Sequence, residues 1–547
     1  MRSRLLQVFA PLACALALHA SPQHLVFTYQ GDPATSLTAN WQYINADIAG
    51  VNEAKIYYDT ISRAGDVEAY AYSRTVMSSR IPGLEDRELY HVRLDALEAA
   101  TTYYLIVGNA AQGYSEEVKI RTLPGDDSPL RFVTGGDMGT SEATRIFLRQ
   151  AASHAPQFAV IGGDIAYANG NLKSVGSWDQ WLQYYTEEMR TPDGLQIPLV
   201  LAIGNHEVKG SYNKPKSHAP FYFGFFAQDI ERSYFSIKFS PHFALLVMDS
   251  GHIASHASQS DWLASTLESY QNIEHVAAVY HVPLYPSHRG FMDWYSREGR
   301  THWAPLFDEF GLTVAFENHD HTFKRSHLIK NEAPTTDGTG TLYLGDGCWG
   351  REPRGIDYRQ RTYLKKSGSI QHFWLVDAAP EAMKYQAIDI DNEVFDIYPS
   401  SATDVSYLAA AEAVFANKKP HYDLPSEAVK LSSMKCGATT WFSGQAQITL
   451  KNVLDFPIVA DLQTFFPHDV NLKNIENYRD LSLQAGEQIE LPLELTTTAT
   501  EGYPRDQVNF YLRVHMRAED PATAAEIKFE KTFGIRAKAP TESAQTN

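Results

Sequence analysis

The sequence predicts a multidomain chain: an all-β sandwich, a central α/β sandwich whose sheets are flanked by helices, and a second all-β sandwich. Stretches alternating apolar and polar residues between polar turns fill residues 21–125 and return at 428–538, the period of half-buried strands. Between them, short continuous apolar runs alternate with helix-patterned segments, as strands covered on both faces require. Length agrees, since 547 residues exceed one ordinary hydrophobic core.

In chain order, residues 1–20 read as a secretory signal. Arg2 and Arg4 form the positive start, residues 5–18 the apolar stretch, and Leu18-His19-Ala20 an imperfect cleavage site. Pro11-Leu12-Ala13-Cys14 would fit a lipoprotein anchor but for Pro11, where an apolar residue usually stands, so a secreted or periplasmic protein is expected. No other apolar run reaches spanning length, and no transmembrane span is expected. Within 21–125, "SLTANWQY" and "AKIYYDT" are strand-like. Leu97 followed by Thr102-Tyr103 entering an apolar strand is the pattern of the tyrosine corner in immunoglobulin-like sandwiches. "LPGDDSP" (123–129) reads as a linker into a central domain at 126–400, where "SEATRIFLRQAASHA" and "SDWLASTLESYQ" have helical spacing. Residues 401–427 read as a helix and a Pro/Lys-rich connector, 428–538 as strands such as "GQAQITLKNV" and "QVNFYLRVHMR", and 539–547 as a disordered tail.

Composition narrows the function classes. A formal charge of −18 excludes a nucleic-acid duplex as partner, because phosphate backbones need a basic footprint. It does not exclude a small anionic substrate, since bound metal ions invert the local field. Beyond the leader only Cys348 and Cys436 remain, too few for a disulfide scaffold, and a bond between them is left open.

The central domain is most informative in how its apolar runs end. "LRFVTGGDMG" ends in Asp137, "FAVIGGDIAY" in Asp164 and Tyr167, and "IPLVLAIGNHE" in Asn205-His206. "HVAAVYHVPLY" passes through His281, and "GLTVAFENHDH" ends in His319 and His321. Open α/β sheets place their sites at these C-terminal strand ends. Asp137, Asp164, Tyr167, Asn205, His281, His319 and His321 are too mixed a set for one structural zinc site, and sufficient for two hard or borderline ions. A carboxylate such as Asp164 can bridge ions about 3.5–4 Å apart, the spacing of two-metal hydrolytic sites. His319 and His321 lie two residues apart, so extended backbone would point both the same way.

The blocks "GGDMG", "GGDIAY", "IGNHE", "VYH" and "ENHDH" resemble, in order and separation, the five blocks of the calcineurin-like metallophosphoesterases. The tyrosine of "GDIAY" narrows the resemblance to the purple acid phosphatase family. It spans residues 21 to about 400, because that family also carries an N-terminal fibronectin type III-like sandwich. The resemblance implies a dinuclear metal centre. Fe(III) would be held by Asp137, Tyr167 and His321, with Asp164 bridging to Fe(II), Zn(II) or Mn(II) on Asn205, His281 and His319. A phenolate suits Fe(III), and imidazole and amide suit a divalent partner. His206, next to Asn205, would face the substrate phosphate as electrostatic stabiliser or leaving-group acid.

Two departures from the family pattern stand out. Asn318 occupies the place of a glycine before the last His-x-His, and its tolerance of left-handed backbone is expected to preserve ligation. The family's substrate-facing His pair is not cleanly present. His288 and Arg289 lie nearby: His288 is a candidate catalytic group, and both are expected to contact phosphate, Arg289 bidentately. Glu207 and Asp249 are candidates for orienting ligand histidines. Lys324 and Arg325 follow the last ligands, with anion binding and packing equally open.

The function expected is that of a secreted acid phosphatase: metal-activated hydroxide attacks a phosphate monoester in line, with an acidic to neutral optimum. The altered His288-Arg289 loop motivates an alternative, a phosphodiesterase or nucleotide phosphohydrolase. The long C-terminal sandwich motivates another, a non-catalytic surface-binding protein.

Overall fold

The computed structural model describes residues 21–44 and 52–399, apart from 230, 336, 346, 358–360 and 362. Within 421–538 it describes all but 424–427, 433–434, 437–442, 455, 466–469, 474–477, 498–506 and 521–527. The signal-like segment 1–20, the helix expected in 401–420 and the tail 539–547 lie outside the described residues. Among the described residues no helix is long and apolar enough to cross a membrane.

The multidomain layout expected from the sequence is present. At the N-terminus two antiparallel sheets face each other. One joins Gln23–Thr28, Leu37–Ile44 and Arg87–Leu94; the other centres on Glu53–Asp59 and Thr102–Asn109. Trp41 stacks on Tyr90 at 5.2 Å between them. The tyrosine corner forms as expected: the buried Tyr103 hydroxyl accepts the Glu98 backbone N–H at 2.9 Å. This sandwich is bonded to the central domain by buried polar groups. The Asn40 Oδ1 accepts the Ala227 N–H (2.9 Å), Thr28 donates to the Ala227 carbonyl (2.6 Å), and Arg87 holds both oxygens of Asp179 (2.5 and 3.1 Å).

The central domain packs two sheets face to face. The first has Leu130–Gly135, Phe158–Ile161 and Leu199–Leu201 in parallel, extended by the antiparallel His372–Ala379, Ala382–Asp389 and Val394–Tyr398. The second runs parallel through Phe243–Val247, His275–Val279, Val314–Phe316 and Thr341–Gly345. Alternate side chains point inward to a shared aromatic core. Phe132 stacks on Phe158 (5.0 Å) and Phe243 (5.3 Å), and Phe158 on Phe239 (4.2 Å). The other set points outward under helices: Val133, Ala159 and Ile161 under Glu142–Ser153 and Val175–Glu188, and Leu246 and Ala278 under His256–Ser269 and Ala304–Phe310. Burial on both faces is why these strands read as unbroken apolar runs. Because the strands within each set are parallel, their C-terminal ends gather on one edge.

After Pro399 a second β-sandwich forms. One sheet contains Ser443–Lys451 and Gln488–Thr497, the other Ile458–Phe465, Gln507–Ala518 and Lys528–Lys538. A short strand of the central domain, Ile356–Asp357, joins this second sheet by parallel pairing with His421–Asp423. Cys348 is a free, buried thiol, so the pairing with Cys436 that the sequence left open is not formed.

One buried group makes stability depend on pH. His256 is 2% exposed, packs on Trp303 at 4.3 Å, and its Nε2 meets no partner among the described residues. Burial, with a smaller contribution from His302, lowers its pKa from 6.5 to about 3. The unfolded chain therefore takes up this proton first as pH falls. The contribution is complete above about pH 6.5 and declines between there and about 3. The loss reaches about 2 kcal/mol near pH 5. Urea unfolding of the full chain is expected to show stability falling from pH 7 to pH 5, and His256→Leu should remove a corresponding part of that slope. An identical slope in the variant would rule this histidine out as the source.

Candidate metal centre

The five sequence blocks sit in loops on the common C-terminal edge of the two sheets, following Leu130–Gly135, Phe158–Ile161, Leu199–Leu201, His275–Val279 and Val314–Phe316. The loops are bonded to one another through backbone. Asp137, Met138 and Gly139 donate to the carbonyls of Gly163, Asp164 and Ile165 at 2.8–3.0 Å, and Asn318 donates to that of His281 at 3.0 Å. The donor residues adopt an uncommon conformation. Asp137, Asp164, Tyr167, His319 and His321 all have left-handed backbone, with φ of 51–76°. Each such residue costs roughly 1–3 kcal/mol, tolerated where surrounding structure dictates it. The extended backbone expected at His319 and His321 is thereby corrected: the two rings converge through a left-handed turn.

Two groups of donors form. Around His281 Nε2 lie Asp164 Oδ2 (3.2 Å), Asn205 Oδ1 (3.2 Å) and His319 Nδ1 (2.9 Å). The ligand atoms of Asp164, His281 and His319 all fall within 4.8 Å of one another. Beside them, Asp137 Oδ1, Tyr167 OH and His321 Nε2 form a second triangle with edges of 3.2, 3.1 and 2.9 Å. His281 Nδ1 donates to the Gly162 carbonyl (2.9 Å), so Nε2 is the nitrogen left for coordination. One Nε2 facing a carboxylate, an amide oxygen and a second imidazole nitrogen has more acceptors than one N–H can serve. That donor set fits a cation.

The electrostatics agree. Asp164 is almost fully buried, which opposes ionisation, but the neighbouring His281 ring outweighs this and holds its carboxyl below the ordinary range. Burial would likewise lower His281, yet Asp164 and Asp137 carry it up to about 9. Tyr167 is pushed upward by burial and by the Asp137 and Asp164 carboxylates, so without a cation it is a phenol. Glu207 is raised to about 7 by burial and by Asp164. Its carboxylate accepts the N–H groups of Asp164 (2.7 Å), Ile165 (2.8 Å) and Gly204 (2.8 Å), fastening the Asp164 loop to the Asn205 loop. Asp249 instead caps residues 252–254 and accepts from Ser233 (2.6 Å).

His206 borders the donors. Its N–H donates to Asp164 Oδ1 (2.7 Å), Nδ1 is bonded to Asn169 Oδ1, and Nε2 lies 3.7 Å from Asp164 Oδ2. Its ring packs against Tyr167 at 4.1 Å. His288 and Arg289 stand differently from expectation. His288 Nδ1 donates to the Gly355 carbonyl (2.7 Å), and Arg289 Nη1 reaches the His319 carbonyl and Asp320 Oδ1, both at 2.7 Å. Asp320 also accepts the N–H groups of Ser287 and His288, so this loop wraps a buried carboxylate. Asn318 is not the left-handed residue; its amide donates to the Tyr280 carbonyl (2.9 Å) and fills the space over Gly162. A Cβ at Gly162 would lie 1.8 Å from Asn318 Nδ2, so glycine there is obligatory. Lys324 and Arg325 are spent in packing: Lys324 pairs with the buried Glu317, and Arg325 holds Asp396 at 2.6 and 3.0 Å.

Sequence reasoning missed a sixth loop, after Thr341–Gly345. Trp349 donates to the Gly136 carbonyl (2.9 Å), Arg351 to that of Asp137 (3.1 Å), and Arg354 to that of His321 (2.8 Å). The Arg351 guanidinium lies 4.1 Å over the Tyr167 ring. Its only sequence signal is the arginine pair in "GREPRG", which no apolar run announces.

Residues 22–122 match the model of the purple acid phosphatase N-terminal domain, and residues 131–323 that of the calcineurin-like phosphoesterases. Purple acid phosphatase 23 of Arabidopsis thaliana is 24% identical over 313 residues, covering 51% of this chain and 66% of its own length. Purple acid phosphatase 1 of Ipomoea batatas is 23% identical over 337 residues, covering 55% and 66%. The chain thus spans somewhat under two thirds of these relatives. Among solved structures, the purple acid phosphatase PPD1 of yellow lupin aligns with a TM-score of 0.58 at 17% identity, over 69% of this chain and 74% of that one. PhoD aligns at 0.56 and 12%, over 75% and 100%. These likenesses show the fold. With both segments matched in order, and the strand-end donors lying inside the second, the chain carries a purple acid phosphatase N-terminal domain followed by a calcineurin-like phosphoesterase domain.

Proposed function

We propose that this chain hydrolyses phosphate monoesters at a dinuclear metal centre. The observation that carries the reading is the convergence of two donor groups that share one edge of the fold, with Asp164 in the first and the phenol of Tyr167 in the second. Asp137, Tyr167 and His321 would hold Fe(III), and Asn205, His281 and His319 would hold Fe(II), Zn(II) or Mn(II), with Asp164 shared. When bound, such ions supply an activated water and positive charge for in-line attack on phosphorus.

The chain's own groups do the rest. Asn169 fixes His206 through Nδ1 and leaves Nε2 as the atom that stabilises phosphoryl charge or gives a proton to the leaving oxygen. Glu207 keeps Asp164 and Asn205 in register by holding three backbone N–H groups. We assign His288 and Arg289 to shaping the loop around Asp320 rather than to phosphate, because the contacts described above commit both to protein groups. Export is also proposed, and rests on residues 1–20 alone.

Metal analysis and the visible spectrum test the assignment. The purified chain should hold close to two metals and show a tyrosinate-to-iron band that Tyr167→Phe abolishes. Asp164→Ala should lose metal and lower turnover of nitrophenyl phosphate by about 1,000-fold or more. A colourless, iron-free enzyme of full activity would contradict the ferric assignment. Turnover by Asp164→Ala equal to wild type would contradict the centre itself.

The Glu207 fastening gives a separate prediction. Glu207→Gln leaves one oxygen to accept where two served three donors, so metal affinity or activity should fall about 10–100-fold. Competition against a chelator measures this, with circular dichroism to establish that the fold persists. Unchanged metal retention would show that Glu207 does not position the ligands.

A further inference from the structure

Arg351 is the cation that the family-level reading leaves unused. It stands on the sixth loop, exposed at the rim, with its guanidinium 4.1 Å over the ring of Tyr167. Among the described residues that guanidinium donates no hydrogen bond and joins no ion pair. The other arginines of the rim are engaged: Arg289 with Asp320, and Arg354 with the His319 carbonyl at 3.0 Å.

Arg351 is nevertheless not a loosely tethered surface residue. Its backbone N–H is bonded to the Asp137 carbonyl, and its own carbonyl accepts from Gln371 Nε2 (2.9 Å) and Cys348 Sγ (3.2 Å). Its stem crosses Gly139, where a Cβ would lie 3.1 Å from Arg351 Cδ and 3.4 Å from Nη1. The glycine of "GGDMG" therefore clears the path that brings this side chain over the phenol. His206 packs against the same phenol, so the two groups border one mouth. An oriented guanidinium with unspent donors is suited to an oxyanion.

We propose that Arg351 is a substrate-binding residue that takes a phosphoryl oxygen turned away from the metals, and that it makes the site selective for dianionic phosphate monoesters over diesters. A monoester dianion presents a charged oxygen there, whereas a diester carries one charge fewer and an alkyl or aryl group in its place. This rests on the reading of the centre as a phosphoesterase.

The test uses the metal-loaded full chain with Arg351→Gln and Arg351→Lys. For Arg351→Gln, kcat/KM with 4-nitrophenyl phosphate should fall about tenfold or more, mostly through KM, while that for bis(4-nitrophenyl) phosphate changes less than about threefold. Competitive inhibition by inorganic phosphate should weaken by a similar factor, Arg351→Lys should recover part of both, and metal content should match wild type. Equal losses on both esters, or an unchanged phosphate inhibition constant, would overturn the proposal. Phosphate binding by calorimetry reads the Arg351 contact without turnover. A wild type that hydrolyses neither ester would defeat the parent reading, whereas undiminished phosphate binding by Arg351→Gln would defeat this one.

Discussion

Five donor residues held in left-handed backbone are the constraint from which the organisation of the central domain follows. No side chain but glycine occupies that region cheaply, and here aspartate, tyrosine and histidine do. What makes it affordable is mutual restraint. Each loop's backbone is bonded to the next, from Asp137 to Gly163, from Asn318 to His281 and from Arg354 to His321. Glu207 closes the set by accepting three N–H groups from two loops. The rigid edge beneath, two sheets buried on both faces around Phe132, Phe158 and Phe243, supplies the fixed points. Without cations this arrangement is electrostatically unrelieved: His281 must keep a proton that Asp164 holds in place, among acceptors it cannot all satisfy. Metal binding and loop geometry are thus two sides of one free-energy balance.

How much of this the sequence disclosed follows the same physics. A strand buried on both faces must be apolar along its length, so the runs ending in Asp137, Asp164 and Asn205 were visible as strands meeting polar loops. Parallel pairing then puts those ends on one edge, which is why the donor set could be assembled on paper. Backbone handedness could not be read, because non-glycine residues in left-handed conformation carry no compositional mark. That is why extended backbone was expected at His319 and His321, and a left-handed Asn318. Nor was Arg351 legible: it lies far along the chain from Tyr167, and the residue that admits it, Gly139, looks like part of a metal-binding block. His288 and Arg289 were chosen by proximity along the chain, but the buried carboxylate of Asp320 competes for the loop that carries them.

Charge sets a second boundary on the chemistry. A chain of formal charge −18 repels an incoming dianion at long range, so attraction must be local. Of the arginines around the donor loops, Arg289 and Arg354 are committed to protein groups, which leaves Arg351 as the guanidinium that would provide it. Acidity is limited from the other side. His256 is buried as a neutral ring, as is His252, whose pKa burial and the nearby His281 lower to about 3. Protonating either inside the fold is unfavourable, so the native state loses ground as the medium acidifies. A mildly acidic working range is compatible with that cost; a strongly acidic one would have to be met by stabilisation elsewhere.

The C-terminal sandwich enters the same argument through one short strand. The loop that carries Arg351 and Arg354 continues directly into Ile356–Asp357, which pairs in parallel with His421–Asp423, and that strand in turn pairs with Lys528–Lys538. The backbone is therefore hydrogen-bonded without interruption from the His321 carbonyl, through Arg354, into a sheet of the second sandwich. A strand of two residues contributes little stability by itself. Its effect is on entropy: a loop pinned at both ends explores fewer conformations than one pinned only at the metal centre. The extra sandwich is thus tied, through Ile356–Asp357, to the loop that bears the arginines at the rim.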